Sequence, residues 1–282
     1  MRLAFLGSPA AAVTTLERLL GSDHDVALVV TQPDRRRGRG NELIPTPVKQ
    51  AAVGHGVRIT ERVDDVIDAG VDLGVVVAFG KLIRPHVLDA VPMVNAHFSL
   101  LPRWRGAAPV ERAILAGDTE TGVCLMKLDE GLDTGPVYEC VATPMAAEES
   151  AAALTARLAG MAAQLVVDRL DRGLGEPVPQ QGEATYAAKI DPADLVLDFG
   201  RPAAEEARRV RIGRAWTTAN GRRLIVWRAR AVAGGPPSGV LSGTTVGTAD
   251  GGLELLEVQP EGKGRMPADA WARGVGAVHL GG

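Results

Sequence analysis

Residues 2–30 read RLAFLGSPAAAVTTLERLLGSDHDVALVV and decide the fold class. Arg2–Leu6 is a short apolar run that ends at Gly7–Pro9, and Ala10–Leu20 then places its leucines at helical spacing. A second apolar run, Val26–Val30, follows. The order strand, helix, strand favours two parallel strands joined by a right-handed crossover. This opening stretch therefore predicts an α/β protein.

The same alternation continues to residue 172. Further strands are predicted at Val57–Thr60, Leu73–Ala78, Met93–Asn95, Val123–Leu128 and Val137–Val141, and helices at Val63–Ala69, Ala108–Leu115 and Glu149–Leu170. Strands as uniformly apolar as Leu73–Ala78 are covered by helices on both faces of a sheet. We therefore expect residues 1–172 to form one open α/β sheet with helices on both sides.

The character of the chain changes after Arg172. Residues 173–202 contain turn-rich stretches such as Gly173–Pro177 and Gln180–Glu183, which indicate a connector. A helix is predicted at Ala203–Val210, and short strands between glycine turns are predicted at Arg223–Ala229, Gly239–Leu241, Thr244–Gly247 and Leu253–Val258. That spacing predicts a small antiparallel barrel over residues 203–282.

Composition bounds the class of protein. The chain has 282 residues with 46% hydrophobic and 23% charged residues, which is typical of about two folded domains. We expect no integral membrane segment, because no apolar run approaches the roughly 20 residues that cross a bilayer. Cys124 and Cys140 cannot form a disulfide framework, and neither has a CxxC partner for zinc. We therefore expect no metal site and a reducing, cytoplasmic location.

The charge is distributed unevenly, although the net formal charge is only −3. Residues 201–282 contain 12 Lys+Arg and 7 Asp+Glu, a net charge of +5, so the first 200 residues carry −8. A basic C-terminal part favours a polyanionic partner, of which nucleic acid is the commonest. Simple solvation of the surface is the alternative interpretation.

The connection after the second strand is long and basic. Residues 32–47 read QPDRRRGRGNELIPTP, whereas two to six residues are usual for a connection in an α/β unit. Its four arginines are Arg35, Arg36, Arg37 and Arg39. The planar guanidinium group gives paired hydrogen bonds to phosphate and stacks on bases. The loop is therefore a candidate nucleic-acid contact, with a basic surface loop as the alternative.

Three polar residues form a candidate catalytic set. Asn95 and His97 alternate with apolar residues at the end of a predicted strand, where ligands of open α/β sheets bind. Asn offers a neutral donor, and His exchanges protons near neutral pH. Asp133 lies in an acidic loop between two predicted strands, and its carboxylate can orient a histidine. With no Ser or Cys nucleophile nearby, this set indicates acyl transfer without a covalent enzyme intermediate.

Several stretches together carry a resemblance to a known family. They are Gly7–Pro9, Thr31–Asp34 with Gly38–Gly40, Pro45–Lys49, His97–Pro109, Gly131–Gly135 and Glu261–Met266. They resemble the methionyl-tRNA formyltransferases, and the resemblance covers nearly the whole chain. The Asn-x-His pair and the distant Asp are common to all transferases that use 10-formyltetrahydrofolate. The basic loop and the run RWRGAAP at residues 103–109 are more specific to the tRNA enzymes.

The resemblance implies a role for particular residues. Asn95, His97 and Asp133 fall on the family's catalytic positions. The co-substrate 10-formyltetrahydrofolate is expected against Ser99, Leu100, Leu101 and Pro102, and against Phe79, Gly80 and Leu82. Arg35, Arg36, Arg37 and Arg39 are expected to reach the acceptor end of a tRNA.

The resemblance also implies an architecture and an activity. It implies a Rossmann-like formyltransferase domain at residues 1–172, a linker at 173–202 and an OB-like tRNA-binding domain at 203–282. The implied activity is transfer of a formyl group to the free amino group of methionyl initiator tRNA, for translation initiation. We expect a cytoplasmic monomer that has no membrane partner.

Alternatives from other classes stay open. A formyltransferase acting on a nucleotide-linked amino sugar would share Asn95, His97 and Asp133 but would not need the basic loop. A non-catalytic RNA-binding protein would need the basic loop but not a carboxylate opposite His97. A dehydrogenase is disfavoured, because Gly7–Pro9 is not the glycine fingerprint that receives a pyrophosphate.

Overall fold

The computed structural model describes residues 1–37, 42–276 and 278–281, which fall into two compact units. Unit 1 comprises Met1–Pro109, Glu120–Pro144 and Thr155–Ala188. Unit 2 comprises Val110–Thr119, Met145–Leu154 and Lys189–Gly282. The chain thus passes between the units more than once, and the expected division at residues 172 and 202 stays a prediction.

The elements up to residue 188 alternate between strands and helices. In chain order they are β1 Arg2–Gly7, α1 Ala10–Leu20, β2 Asp25–Val30, β3 Arg35–Arg37, β4 Glu42–Ile44, α2 Pro47–Gly54, β5 Ile59–Thr60, a 3-10 helix Val63–Ala69, β6 Leu73–Val77, α3 Pro85–Ala90, β7 Met93–His97, β8 Arg105–Gly106, α4 Pro109–Ala116, β9 Glu120–Lys127, β10 Val137–Pro144, α5 Ala151–Arg172 and β11 Tyr186–Ala187.

The main sheet of unit 1 has seven strands in the order β10-β9-β7-β6-β1-β2-β5. β5, β2, β1, β6 and β7 are parallel to one another, whereas β9 runs antiparallel to both β7 and β10. Every residue of β6 is buried, and Leu3–Leu6 of β1 are fully buried. Burial of every residue means that both faces of these strands are covered, which confirms the predicted α/β class.

The end of β1 approaches helix α1 so closely that only glycine fits there. A Cβ added to Gly7 would lie 2.8 Å from the Phe5 ring and 2.9 Å from the Ala12 Cβ. Side chains cannot contact their neighbours at such distances without displacing them. Gly7 therefore lets the chain turn from the sheet into α1 at the carboxyl edge of the strands.

Unit 2 contains an antiparallel sheet. Its elements from residue 189 are a 3-10 helix Pro192–Leu195, α6 Ala203–Ile212, β12 Ala215–Ala219, β13 Arg222–Val232, β14 Leu241–Ser242, β15 Thr245–Gly247, β16 Gly252–Pro260, β17 Met266–Pro267 and α7 Ala268–Val275. The strand order is β12-β13-β16-β15-β14, with β17 paired to β16. This strand order is open, with isolated bridges from Leu280 to Ala219 and from His279 to Val240 at its two edges, and the OB-like barrel is not confirmed.

Helix α5 is the one described helix long and apolar enough, by length and composition, to cross a membrane. The expected absence of a membrane segment stays a prediction, because 22 residues are long enough for a span. However, 50% of its apolar window is buried inside the protein, and Leu154, Leu158 and Leu165 recur at helical spacing among the buried positions. This is the pattern of a core helix.

The structure contains a disulfide that the sequence interpretation did not include. Cys124 on β9 and Cys140 on β10 lie directly opposite each other in the antiparallel pair, with Cα atoms 4.0 Å apart. Cys124 is fully buried, whereas Cys140 is exposed. Among the described residues, no group of three or more His, Cys, Asp and Glu is arranged to hold a metal ion.

Candidate active site

Strand β7 carries two buried polar side chains near its carboxyl end. Asn95 is 9% exposed and His97 is 6% exposed, and the apolar Ala96 separates them. Because side chains alternate along a strand, Asn95 and His97 lie on the same face of the sheet. β7 is an inner strand between β6 and β9, so both of its edges are paired and its position is fixed on both sides.

Asp133 contacts both of these residues from the loop between β9 and β10. Its Oδ1 accepts a hydrogen bond from Asn95 Nδ2 at 3.4 Å. Its Oδ2 accepts from the Gly106 backbone N–H at 2.8 Å and lies 3.6 Å from His97 Nδ1. The structure therefore brings Asn95, His97 and Asp133 together, and we call these three residues the polar trio.

The orientation of the His97 ring is fixed by its second nitrogen. Nε2 lies 2.8 Å from the Trp104 carbonyl oxygen. A carbonyl only accepts hydrogen bonds, so Nε2 carries a proton and donates it there. Nδ1 is the nitrogen left to face Asp133, and only an imidazolium ring can present an N–H to that carboxylate.

The expected folate residues follow two neighbouring strands. Ser99–Pro102 comes after β7 and Phe79–Leu82 after β6, and these strands are parallel, so both segments start from the same edge of the sheet. The Ser99 side chain is fully buried, and its hydroxyl donates to the Arg103 carbonyl at 2.6 Å. That hydroxyl therefore stabilises the turn. Phe79 is buried as well, whereas Leu82 is 76% exposed.

A cavity of about 240 Å³ opens at the carboxyl ends of β1, β2 and β6. Its lining includes Ser8, Gln32, Arg35, Phe79 and Gly80. The cavity therefore joins part of the expected folate segment to the first arginine of the basic loop. The polar trio, all of which the structure describes, is not part of this lining.

The basic loop forms a short hairpin in which β3 and β4 pair antiparallel. Arg35 and Arg36 are exposed, and Arg37 contributes its backbone to β3. Arg39, the fourth arginine that the sequence assigned to tRNA binding, lies outside the described residues. The structure therefore places the first three arginines together on one strand.

Polar contacts hold the base of this hairpin. Lys49 Nζ donates to Asp34 Oδ1 at 2.7 Å and to Glu61 Oε1 at 3.4 Å. The hydrogen bond to Asp34 raises the pKa of Lys49 above its ordinary value; burial opposes the rise, and Glu61 adds to it. Thr46 caps helix α2 by accepting from the Lys49 backbone at 3.1 Å, and its hydroxyl lies 2.7 Å from that of Thr31.

In unit 2, two exposed arginines stack on tryptophan rings. The Arg223 guanidinium carbon lies 4.4 Å from the centre of the Trp216 ring, and that of Arg265 lies 3.4 Å from the Trp227 ring. Both distances are within cation–π range. Trp227 Nε1 also donates to Gln259 Oε1 at 3.0 Å. Unit 2 thus presents positive charge beside aromatic rings, the combination that single-stranded nucleic acids contact.

Sequence reasoning missed the groups that contact the polar trio or lie next to these contacts. They are the Gly106 N–H, the Trp104 carbonyl and the side chains of Arg105 and Gln180. Every residue has backbone groups, so the first two give no sequence signal. Arg105 and Gln180 lie 75 positions apart, and no local pattern connects them.

Comparison with known proteins places the whole chain. Residues 1–170 match the "Formyl transferase" family model, and residues 189–276 match the "Formyl transferase, C-terminal domain" model. The methionyl-tRNA formyltransferase of Paracoccus denitrificans is 44% identical over 292 residues, with 98% of each chain covered. That of Thermus thermophilus is 44% identical over 299 residues, covering 99% of this chain and 97% of its own.

Solved structures share the fold at low sequence identity. The sugar 3N-formyl transferase WlaRD has a TM-score of 0.69 at 15% identity and covers 93% of this chain and 98% of its own. The methionyl-tRNA formyltransferase from Clostridium thermocellum has a TM-score of 0.58 at 16% identity, covering 81% and 92%. From the two family models and its full-length relatives, the chain belongs to the formyl transferase family, among the methionyl-tRNA formyltransferases.

Proposed function

We propose that this protein transfers a formyl group from 10-formyltetrahydrofolate to the free amino group of methionyl initiator tRNA, giving the formylated tRNA that starts translation. The observation that carries the proposal is the convergence of Asn95, His97 and Asp133 at the carboxyl end of β7. Full-length relatives that bear the name methionyl-tRNA formyltransferase support the choice of acceptor.

The edge of the sheet offers the chemistry that a folate needs. Leu82 is 76% exposed, and Leu100 and Leu101 are only partly buried, which leaves apolar surface for a flat pterin ring. Gly80 has a φ of +72°, and nothing lies within 4 Å of the position of a Cβ there. The backbone at this point is therefore open to a ligand. We propose that this surface is supported from the protein side by Ser99, Pro102 and Phe79.

Asn95 supplies the donor for the charge that develops during transfer. The attacking amine forms a bond to the formyl carbon, and negative charge appears on the formyl oxygen. One N–H of Asn95 Nδ2 stays with Asp133 Oδ1, and the other is free to donate to that oxygen. A preorganised donor of this kind is typically worth about 10²–10³-fold in rate.

His97 and Asp133 assist the proton transfers of the reaction. The attacking nitrogen loses one proton and the departing N10 gains one, so the reaction is balanced without an external acid or base. Nδ1 of His97 faces Asp133, because Nε2 is held by the Trp104 carbonyl, and the protons are proposed to pass through this nitrogen. Asp133 Oδ2 lies 3.6 Å from Nδ1, so the carboxylate stabilises the positive charge that the imidazole gains with a proton. General acid–base assistance of this kind contributes roughly 10²–10⁴-fold.

The tRNA is proposed to contact both units. In unit 1 the proposed contacts are Arg35, Arg36, Arg37 and Arg39, and Lys49 anchors the hairpin that carries the first three. In unit 2 they include Arg223 and Arg265 on their tryptophans. Positive charge binds the phosphates, and aromatic rings give bases a surface on which to stack.

The finer features of the architecture are also proposals. The OB-like form of unit 2 draws support from β13, whose pairing with β16 shifts register on either side of Arg228. Such bulges increase the twist and bend that barrels need. A cytoplasmic monomer fits an enzyme whose proposed substrates are a soluble tRNA and a folate.

The test compares acceptors for a labelled formyl group from 10-formyltetrahydrofolate. The acceptors are methionyl initiator tRNA, methionyl elongator tRNA and a nucleotide-linked amino sugar. We expect formylation of the initiator tRNA at a much higher kcat/KM than of either other acceptor. Preferential formylation of the amino sugar would overturn the proposal and select the alternative formyltransferase. A complete lack of transfer to all three would favour the binding protein.

A further inference from the structure

The side-chain amide of Gln180 donates hydrogen bonds to the loop that carries Asp133. Its Nε2 lies 2.8 Å from the Asp133 carbonyl oxygen and 2.8 Å from the Gly135 carbonyl oxygen. The two N–H bonds of Nε2 therefore have one acceptor each. Gln180 is partly buried in the turn-rich stretch after α5, which sequence reasoning assigned to a linker.

Arg105 fixes which way this amide points. Gln180 Oε1 accepts from Arg105 Nε at 3.1 Å and from the terminal Nη2 nitrogen at 2.7 Å. Arginine only donates hydrogen bonds, so the amide oxygen must face Arg105 and the amide nitrogen must face the two carbonyls. The guanidinium fork makes this contact bidentate, which restrains both position and plane.

The same strand also binds the Asp133 carboxylate. Gly106, which follows Arg105 in β8, donates its N–H to Asp133 Oδ2 at 2.8 Å. β8 therefore reaches Asp133 twice: directly at the carboxylate, and through Gln180 at the backbone. Asp133 needs such support because its φ is +53°, in the left-handed region that L residues adopt at a cost.

The segment that carries Gln180 is itself held in unit 1. Val178 and Val137 exchange two backbone hydrogen bonds of 2.8 Å at the start of β10. Farther along, β11 pairs with β8 in parallel, joining Tyr186 to Arg105 and Ala187 to Gly106. Gln180 lies between these two attachment points, so its position relative to the Asp133 loop is set on both sides.

We infer that Gln180 is a positioning residue for formyl transfer, holding the Asp133 loop so that the carboxylate faces Asn95 and His97. The inference rests on the proposed function, since Gln180 acts only through Asp133. Gln180 has no free N–H for a substrate, because both amide hydrogens are taken. Loss of these two hydrogen bonds therefore lowers kcat and leaves the KM for both substrates nearly unchanged.

The first test is Gln180→Glu, with Gln181→Glu as its matched control. Glutamate keeps the contact to Arg105 but cannot donate to the two carbonyls, so the loop loses both hydrogen bonds. The neighbouring Gln181 is exposed, and the same charge change there leaves the loop alone. We expect Gln180→Glu to lower kcat about 10- to 100-fold, the scale of a small misplacement of a catalytic group. The Gln181→Glu rate should match the unaltered enzyme.

A double-mutant comparison separates positioning from general structural support. Gln180→Glu is combined with Asp133→Asn, and single-turnover rates with enzyme in excess keep slow transfer measurable. If Gln180 acts through Asp133, its change costs little once that carboxylate is gone. An equal fall on both backgrounds would overturn the inference, as would a normal kcat for Gln180→Glu.

The melting temperatures of Gln180→Glu and Gln181→Glu should agree. Gln180→Met is an uncharged second variant, used if the Gln180→Glu protein does not fold. A normal rate in Gln180→Met would also overturn the inference. A normal rate in folded Asp133→Asn would instead refute the proposed catalytic role of Asp133, so the two failures are distinguishable.

Discussion

At the scale of single residues, the proposed chemistry depends most on one amide and one imidazole. Asn95→Ala removes the donor to the formyl oxygen, and we expect a loss of about 10²–10³-fold in kcat with a folded protein. His97→Ala removes the group that moves the proton, with a loss of roughly 10²–10⁴-fold. Single-turnover formylation of methionyl initiator tRNA measures both. A folded Asn95→Ala enzyme that works at the normal rate would contradict the donor role.

A second prediction at this scale concerns the buried Glu206 on α6. Burial raises the pKa of Glu206 above its ordinary value of 4.5, against the opposing effects of the Asp198 N–H and of Arg209. Between pH 4.5 and the raised pKa, the unfolded chain has released this proton while the folded protein still holds it. The contribution of Glu206 to stability therefore falls as pH rises through this range. Above the raised pKa the whole penalty is present.

Glu206→Gln should therefore become progressively more stable, relative to the unaltered protein, as pH rises from about 4.5 to neutral. Urea unfolding at acidic and neutral pH measures the difference in free energy of unfolding. Glu205→Gln, at a partly exposed position on the same helix, is the control for loss of a carboxyl group. A difference that shrinks with rising pH would contradict this account of Glu206.

Some residues of the candidate site could be predicted from the sequence. Asn95 and His97 stand out because polar side chains alternate with apolar ones at a strand end, and the structure places both beside Asp133. Their roles stay predictions. Gln180 could not be found this way, because a polar residue in a turn-rich stretch carries no local sign of a partner 47 positions away.

At the scale of elements, the β3–β4 hairpin is the part of unit 1 that the proposal assigns to tRNA. Replacing Arg35 and Arg36 by alanine should weaken tRNA binding and leave folate binding unchanged. Each lost phosphate contact should reduce the slope of log affinity against log salt by roughly 0.7 to 0.9. Changing Arg37 and Arg39 as well should enlarge both effects. Filter binding over a range of salt concentrations measures them.

The matched control removes two exposed arginines from helices, Arg18 on α1 and Arg172 on α5. It carries the same change in net charge but leaves the hairpin intact. Equal losses of affinity in the two double variants would mean that only total charge matters. An unchanged affinity in the Arg35 and Arg36 variant would make the hairpin a plain surface connection.

Some strands could be predicted from the sequence, and others could not. β1, β2 and β6 were predictable because strands buried on both faces are apolar at nearly every position. β8 and β11 have two residues each, too few to show any periodicity. The β3–β4 hairpin was missed because side-chain contacts at its base, such as that of Lys49 with Asp34, restrain it rather than an apolar pattern.

At the scale of the whole molecule, the sequence predicted two parts, and the boundaries at residues 172 and 202 stay predictions. Val110–Thr119 and Met145–Leu154 belong to unit 2, although they lie within the stretch expected to form the first domain. Such returns of the chain depend on tertiary contacts rather than on local composition. The cross-strand disulfide was likewise invisible, because sequence spacing does not show which residues lie opposite each other.

Formyl transfer to methionyl initiator tRNA is proposed to occur at the polar trio, and the claim is tested there. The most direct measurement is the single-turnover rate of this transfer by Asp133→Asn, with folding checked by thermal melting and tRNA affinity checked by filter binding. We expect a folded protein with normal tRNA affinity and a rate lower by roughly 10²–10⁴-fold. A folded Asp133→Asn protein that formylates the tRNA at the normal rate would contradict the claim.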